Sequence, residues 1–178
     1  MFTGIVEEVG KVVGITSSPL FQLTIEAEKV TENLKVSDSI CTNGVCLTVT
    51  EKKGKIFSVQ VMPQTLKKTN LKTLRIGSKV NLERAVLFSS FMGGHFVTGD
   101  IDGLARIERM EKETSQWTLT LRCPFNLQKY IAPQGRVALE GVSLTVAEKK
   151  EDFFKVCLIP YTLNNTTLRY HSPGDLLN

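Results

Sequence analysis

Apolar and polar residues alternate with a period of two along much of this chain. Phe57, Val59 and Val61 alternate with Ser58, Gln60 and Met62, and Trp117, Leu119 and Leu121 with Thr118, Thr120 and Arg122. That period predicts strands with one buried face. Lys53-Gly54 stands between apolar-rich segments at 46–50 and 56–61 and predicts a hairpin turn. Segments at 65–71, 125–131 and 162–168 are long enough for single helical turns, but no long amphipathic helix is present. Short strands with frequent turns point to closed barrels or sandwiches, hence to an all-β protein.

The pattern occurs twice. Asn43-Gly44-Val45-Cys46-Leu47-Thr48-Val49-Thr50-Glu51-Lys52-Lys53 aligns with Glu140-Gly141-Val142-Ser143-Leu144-Thr145-Val146-Ala147-Glu148-Lys149-Lys150. At the same offset Met62-Pro63-Gln64-Thr65-Leu66 meets Ile159-Pro160-Tyr161-Thr162-Leu163, and Gly77 meets Gly174. With a slightly smaller offset Thr3-Gly4 meets Thr98-Gly99. Such self-similarity predicts two copies of one fold, here domains 1–90 and 91–178, with the boundary near Ser89-Ser90-Phe91-Met92-Gly93-Gly94. Asn178 aligns with Asn81, so the second copy is expected to stop before its last strand, leaving an edge that must be covered.

Composition narrows the function classes. An apolar content of 42% is that of a folded chain rather than a disordered one. The net charge of +4 is scattered, and the densest runs, 51–55 and 148–152, flank turns. With sparse aromatics, neither a basic stripe nor a stacking platform for nucleic acid is expected. Four cysteines (Cys41, Cys46, Cys123, Cys157) show no metal-ligand spacing, so free thiols in a reducing cytosol and no metal are expected. No apolar run approaches a bilayer span and the N-terminus lacks a secretory pattern, so the expectation is a cytoplasmic protein without membrane contact.

There is no phosphate loop, HExxH helix or nucleophile elbow. In the repeated Gly-Val-(Cys/Ser)-Leu-Thr-Val strand, Cys46 and Thr48 share one face, as do Ser143 and Thr145. Those faces either look into ligand cavities or are small residues filling a β core. His95 follows Gly93-Gly94, where glycines permit close backbone approach to a ligand; a structural histidine is the alternative.

Jointly, Met1-Phe2-Thr3-Gly4-Ile5-Val6, Asn43-Gly44-Val45-Cys46-Leu47-Thr48-Val49, Lys79-Val80-Asn81-Leu82-Glu83-Arg84-Ala85, Gly93-Gly94-His95-Phe96-Val97-Thr98-Gly99 and Gly141-Val142-Ser143-Leu144-Thr145-Val146 resemble riboflavin synthases of the α type, over nearly the whole chain. The resemblance implies two tandem six-stranded Greek-key barrels, each binding one 6,7-dimethyl-8-ribityllumazine. It implies a transferase that dismutates two lumazines to riboflavin and 5-amino-6-ribitylamino-uracil by moving four carbons, with no cofactor. A C-terminal helix would assemble a homotrimer whose sites form between neighbouring subunits. A rival of another class is the non-catalytic lumazine- or flavin-binding antenna protein, which shares the fold.

Carried over by position, one pocket would comprise Gly4, Ile5, Val6, Cys46, Leu47 and Thr48 with Gln60, Val61, Met62, Pro63, Gln64 and Thr65. The other would comprise Gly99, Asp100, Ile101, Gln134, Ser143, Leu144 and Thr145 with Cys157, Leu158, Ile159, Pro160, Tyr161 and Thr162. The resemblance ties Ser39, Cys46, His95 and Phe2 to activity. The family commonly carries a second His where Asp100 stands, a Lys at Gln134 and an Asp at Glu140; without that His one neutral-pH proton carrier is gone. Without the helix, a monomer or weak oligomer is expected.

Overall fold

A computed structural model describes residues 1–87, 89 and 91–178. Ser90, where the first domain is expected to end, lies outside the described residues. The first half holds β1 (Glu8–Thr16), β2 (Phe21–Glu26), β3 (Ser39–Thr42), β4 (Val45–Lys53), β5 (Ile56–Val61), a short helix α1 (Pro63–Lys68) and β6 (Lys79–Arg84). The second holds β7 (Ala105–Lys112), β8 (Trp117–Arg122), β9 (Arg136–Leu139), β10 (Val142–Lys149), β11 (Phe154–Leu158), α2 (Pro160–Asn165) and β12 (Leu176–Leu177). Each helix starts on a proline, whose fixed φ and missing N–H suit the first turn.

The first sheet runs β1-β2-β5-β4-β3-β6 and closes into a barrel, because β6 pairs antiparallel with both β1 and β3. The second repeats the order as β12-β7-β8-β11-β10-β9 but stays open, since β12 pairs with β7 alone. The two halves bend alike. Bulges at Val12/Gly14 and Val49/Glu51 recur at Ile107/Arg109 and Val146/Glu148, where an unpaired residue sharpens the twist and lets the sheet curl.

Inward side chains fill each half separately. Leu23, Ile25, Phe57, Val59 and Leu82 centre the first core, and Ile107, Leu119, Leu121, Phe154 and Leu158 the second, all buried to within 1%. Each such side chain contributes about 1.5–3 kcal/mol by leaving water.

The halves meet tip to tip through matching two-residue hairpins, Asn43-Gly44 and Glu140-Gly141, all four residues at positive φ. A Cβ on Gly44 would come within 2.9 Å of Gly141 N, and one on Gly141 within 2.8 Å of Gly44 N, so only glycine fits at this axis. Buried polar groups cross it in pairs. Asn81 donates from Nδ2 to Glu140 O at 2.8 Å, and Asn178 donates from Nδ2 to Asn43 O at 2.9 Å. Thr167 N donates to Asn81 Oδ1, and its repeat counterpart Asn70 N to Asn178 Oδ1. Buried amides left unpaired would each cost about 1–3 kcal/mol, so the network selects this one docking geometry.

Candidate functional site

The segments preceding the two barrels are exchanged. Gly4 O accepts from Ser143 N on β10 at 2.8 Å, and Gly99 O accepts from Cys46 N on β4 at 2.9 Å. A Cβ on Gly4 would lie 2.7 Å from Ser143 Cβ, and one on Gly99 2.4 Å from Cys46 Cβ, so each leader presses its glycine backbone onto the other half. Val6 packs on the second core and Ile101 on the first. This corrects the grouping expected from sequence. Gly4, Ile5 and Val6 sit with Ser143–Thr145, and Gly99, Asp100 and Ile101 with Cys46–Thr48.

The polar faces of β4 and β10 turn outward. Val45, Leu47 and Val49 are buried inside the barrel, Cys46 is half-buried and Thr48 exposed; Val142, Leu144, Val146, Ser143 and Thr145 repeat that series. Gln60, Met62, Pro63 and Gln64 are exposed beside the first face with Thr65 half-buried, and Cys157, Ile159, Pro160 and Tyr161 beside the second with Thr162 half-buried. The side chains of Leu47, Val61, Leu144 and Leu158 point into the cores, so only their backbone is available to a ligand. Gln134 is an exposed turn residue at φ 61°, matched in the first half by Ser37 at φ 78°.

One asymmetry stands out between the faces. His95 Nδ1 and Ser143 Oγ lie 2.7 Å apart in a hydrogen bond whose donor is set by the imidazole tautomer, whereas among the described residues no imidazole partners Cys46. Burial, and then the nearby positive Arg136, hold His95 below its ordinary pKa and so disfavour the charged ring. Asp100 is exposed, its N–H donating to Thr98 Oγ1 at 3.2 Å. Ser39 lies half-buried opposite Thr48 in the β3–β4 ladder, on the same face as the Cys41–Cys46 pair.

Phe2 offers no surface to a ligand. It is wholly buried, pairs with Val97 through both backbone bonds, and forms with Cys41 and Val97 a small apolar cluster between the halves. Its part is to hold the leader. The leader is also fixed by Glu83, whose buried carboxylate accepts from Thr3 N at 2.7 Å, Thr3 Oγ1 at 2.8 Å and Gly4 N at 3.0 Å. Burial raises its pKa against those three bonds. Sequence reasoning passed over Glu83; an acid on the outward face of the Val80/Leu82 strand was the available signal.

A cavity of about 550 Å³ lies elsewhere, between the segment His95–Ala105 and the free edge of β9. Of the expected binding residues, Gly99, Asp100 and Ile101 border it, but neither Cys46 nor Ser143 does. Beside these two half-buried residues, Thr48 and Thr145 are exposed.

A lumazine-binding domain model matches residues 3–85 and again 98–178. The chain is 42% identical to the riboflavin synthase of Bacillus amyloliquefaciens, covering 100% of this chain and 83% of that one. The chain belongs to the riboflavin synthase family. Its likeness to other members is similar, at 41% identity to the Schizosaccharomyces pombe riboflavin synthase over 100% of this chain and 87% of that protein. The crystal structure of LumP complexed with riboflavin superposes with a TM-score of 0.93 at 26% identity, covering 100% of this chain and 97% of that one. Membership accounts for the duplicated plan, since each matched domain corresponds to one sheet with its leader. Among the described residues no helix is long and apolar enough to cross a membrane, and no group of His, Cys, Asp and Glu could hold a metal ion.

Proposed function

We propose that this protein is a riboflavin synthase, a transferase that takes two molecules of 6,7-dimethyl-8-ribityllumazine to riboflavin and 5-amino-6-ribitylamino-uracil. Residues 1–90 and 91–178 then each supply one lumazine surface. The observation that carries the reading is the pair of outward faces, Cys46/Thr48 and Ser143/Thr145, each completed by the other half's leader. Two related surfaces suit two identical reactants. Exposed Thr hydroxyls can hold a ribityl chain, and the strand backbone can read the pyrimidine edge.

Four carbons pass between identical molecules, so the reaction needs no net oxidant, and much of the acceleration comes from holding the rings together, which can supply roughly 7–11 kcal/mol. Both faces are open on one chain, so a second chain laid over each would exclude water and enclose the pair; a weak homo-oligomer built that way is the assembly we infer. The hydrogen-bonded pair of His95 and Ser143 is the acid–base resource at the second face, of a kind typically worth roughly 10²–10⁴-fold. Free thiols at all four cysteines fit a reducing, cytoplasmic setting.

The LumP likeness supports the antenna alternative, though at 26% identity against 42% for the synthases. Incubating the protein with 6,7-dimethyl-8-ribityllumazine and following riboflavin absorbance separates the two. Riboflavin formation above the enzyme-free rate is the expected result, and tight binding without turnover would establish the antenna reading instead.

A further inference from the structure

One buried carboxylate stands behind both members of the His95–Ser143 pair. The two residues come from segments 48 positions apart, and the N-terminal leader is bonded to each of them. Phe2 O accepts from Val97 N at 3.0 Å, Thr3 O from His95 N at 2.9 Å, and Gly4 O from Ser143 N at 2.8 Å. The other side of the same three peptide units turns to Glu83 on β6. Thr3 N, in one unit with Phe2 O, donates to Glu83 Oε1 at 2.7 Å. Gly4 N, in one unit with Thr3 O, donates to Glu83 Oε2 at 3.0 Å. Ile5 N, in one unit with Gly4 O, donates to Thr3 Oγ1 at 3.3 Å, and that hydroxyl donates to Glu83 Oε1 at 2.8 Å. Each carbonyl that grips the His95 segment or Ser143 therefore has its own N–H tied, directly or through one hydroxyl, to a single carboxylate.

A charged acceptor makes the stronger hydrogen bond, and bonds linked in series through polarisable peptide units reinforce one another away from water. The three partners of Glu83 all donate, which is what an ionised carboxylate takes. Packing leaves the leader no slack. A Cβ on Gly94 would collide with Thr3 O, and one on Gly4 would lie 2.7 Å from Ser143 Cβ, so the leader touches both segments where they carry or meet glycine. We propose that Glu83 is a positioning residue for the His95–Ser143 pair, setting both backbone segments through these peptide units so that Nδ1 and Oγ stand 2.7 Å apart. Glu83 itself is buried behind the leader. Its catalytic meaning rests on the pair being the acid–base resource proposed above, while the bond it sets is measurable without turnover.

The test compares Glu83→Gln, Thr3→Val and Thr3→Ser in the full chain labelled with nitrogen-15. The ring nitrogens of His95 are read at about pH 8, where an ordinary imidazole is neutral, and kcat and KM for riboflavin formation are measured beside them. The unchanged chain should show one tautomer, with Nδ1 and Nε2 well separated by the bond to Ser143. Glu83→Gln removes the charge and turns an N–H toward Gly4 N. Its two ring signals should converge toward those of a free imidazole exchanging between tautomers. There kcat should fall by up to roughly 10²-fold, the scale of a misplaced catalytic group, with KM little changed. Thr3→Val keeps the carboxylate but cuts the hydroxyl link, and should move the ring signals part of the way; Thr3→Ser should restore them. A purely structural loss would lower the folded fraction without moving the ring signals of the molecules that stay folded. Unmoved ring signals in Glu83→Gln, or in Thr3→Val should that variant alone fold, would overturn the proposal whatever happens to kcat. An unchanged chain that forms no riboflavin would remove the catalytic reading alone, and the ring signals would still decide what Glu83 positions.

Discussion

The two halves share a plan, and two of their differences locate the chemistry. Their strand orders, bulges, hairpin tips and exchanged leaders match, so those features belong to folding and docking. What differs is that Ser143 is hydrogen-bonded to His95 where Cys46 is not, and that Glu140 stands where Asn43 stands. A duplicated scaffold thus presents two unequal surfaces, which is what a reaction between identical molecules in unlike roles requires.

The largest expected effect comes from breaking the shared part. Gly99→Ala places a methyl group 2.4 Å from Cys46 Cβ at φ 87°. We expect a loss of roughly 4 kcal/mol in urea unfolding, from overlap plus backbone strain. Gly54→Ala, at φ 59° with open space around it, is the control and should cost only about 1 kcal/mol.

Glu140 tests the second difference. Its carboxyl is pushed up to about 8 by burial, against donors from Asn178 N and Asn70 Nδ2, and its Oε2 has no partner among the described residues. The folded state therefore keeps a proton that the unfolded chain releases near 4.5. Stability should fall as pH rises from about 4.5 to about 8. Asn43 at the matching tip cannot titrate, so that position of the first half adds nothing to the slope. Glu140→Gln keeps the Oε1 acceptor and should flatten the slope, gaining about 3 kcal/mol at pH 9 and little at pH 4. Unfolding midpoints across that range would decide it.

The histidine sets the next effect. His95→Ala should lower riboflavin formation roughly 10²-fold, while retained lumazine binding would show that the acid–base step, not the surface, was removed. The acidic limb of the rate profile should lie below the ordinary histidine range, because burial and Arg136 disfavour the charged ring. Arg136→Gln removes one of those causes, and the limb should move to higher pH.

Making the halves more alike gives the smallest change. Cys46→Ser copies Ser143 onto the first face without its histidine, and the rate should drop roughly tenfold. Cys123→Ser, a buried thiol beside the second core, should leave turnover nearly unchanged, and equal effects would remove Cys46 from the site.

Much of this was legible in one dimension. Alternation at Phe57–Val61 and Trp117–Arg122 marked strands because a residue's face in a sheet is decided by its own parity. The repeat through Gly44-Val45-Cys46 and Gly141-Val142-Ser143 announced two copies and put Thr48 on one face with Cys46 and Thr145 on one face with Ser143, and the fold turns those faces outward. The leaders carry no such periodicity. Gly4 beside Ser143 and Gly99 beside Cys46 are contacts between segments distant in sequence, so local pattern assigned each leader to its own barrel.

By itself, then, the chain's pattern determined the strands, the duplication and which side chains face water, since those follow from neighbours a few positions apart. Tertiary structure alone decided which leader serves which face, that Glu83 caps the first leader, and that His95 reaches Ser143. Those outcomes depend on how the two halves dock, and docking is selected by buried hydrogen bonds that no sequence period encodes.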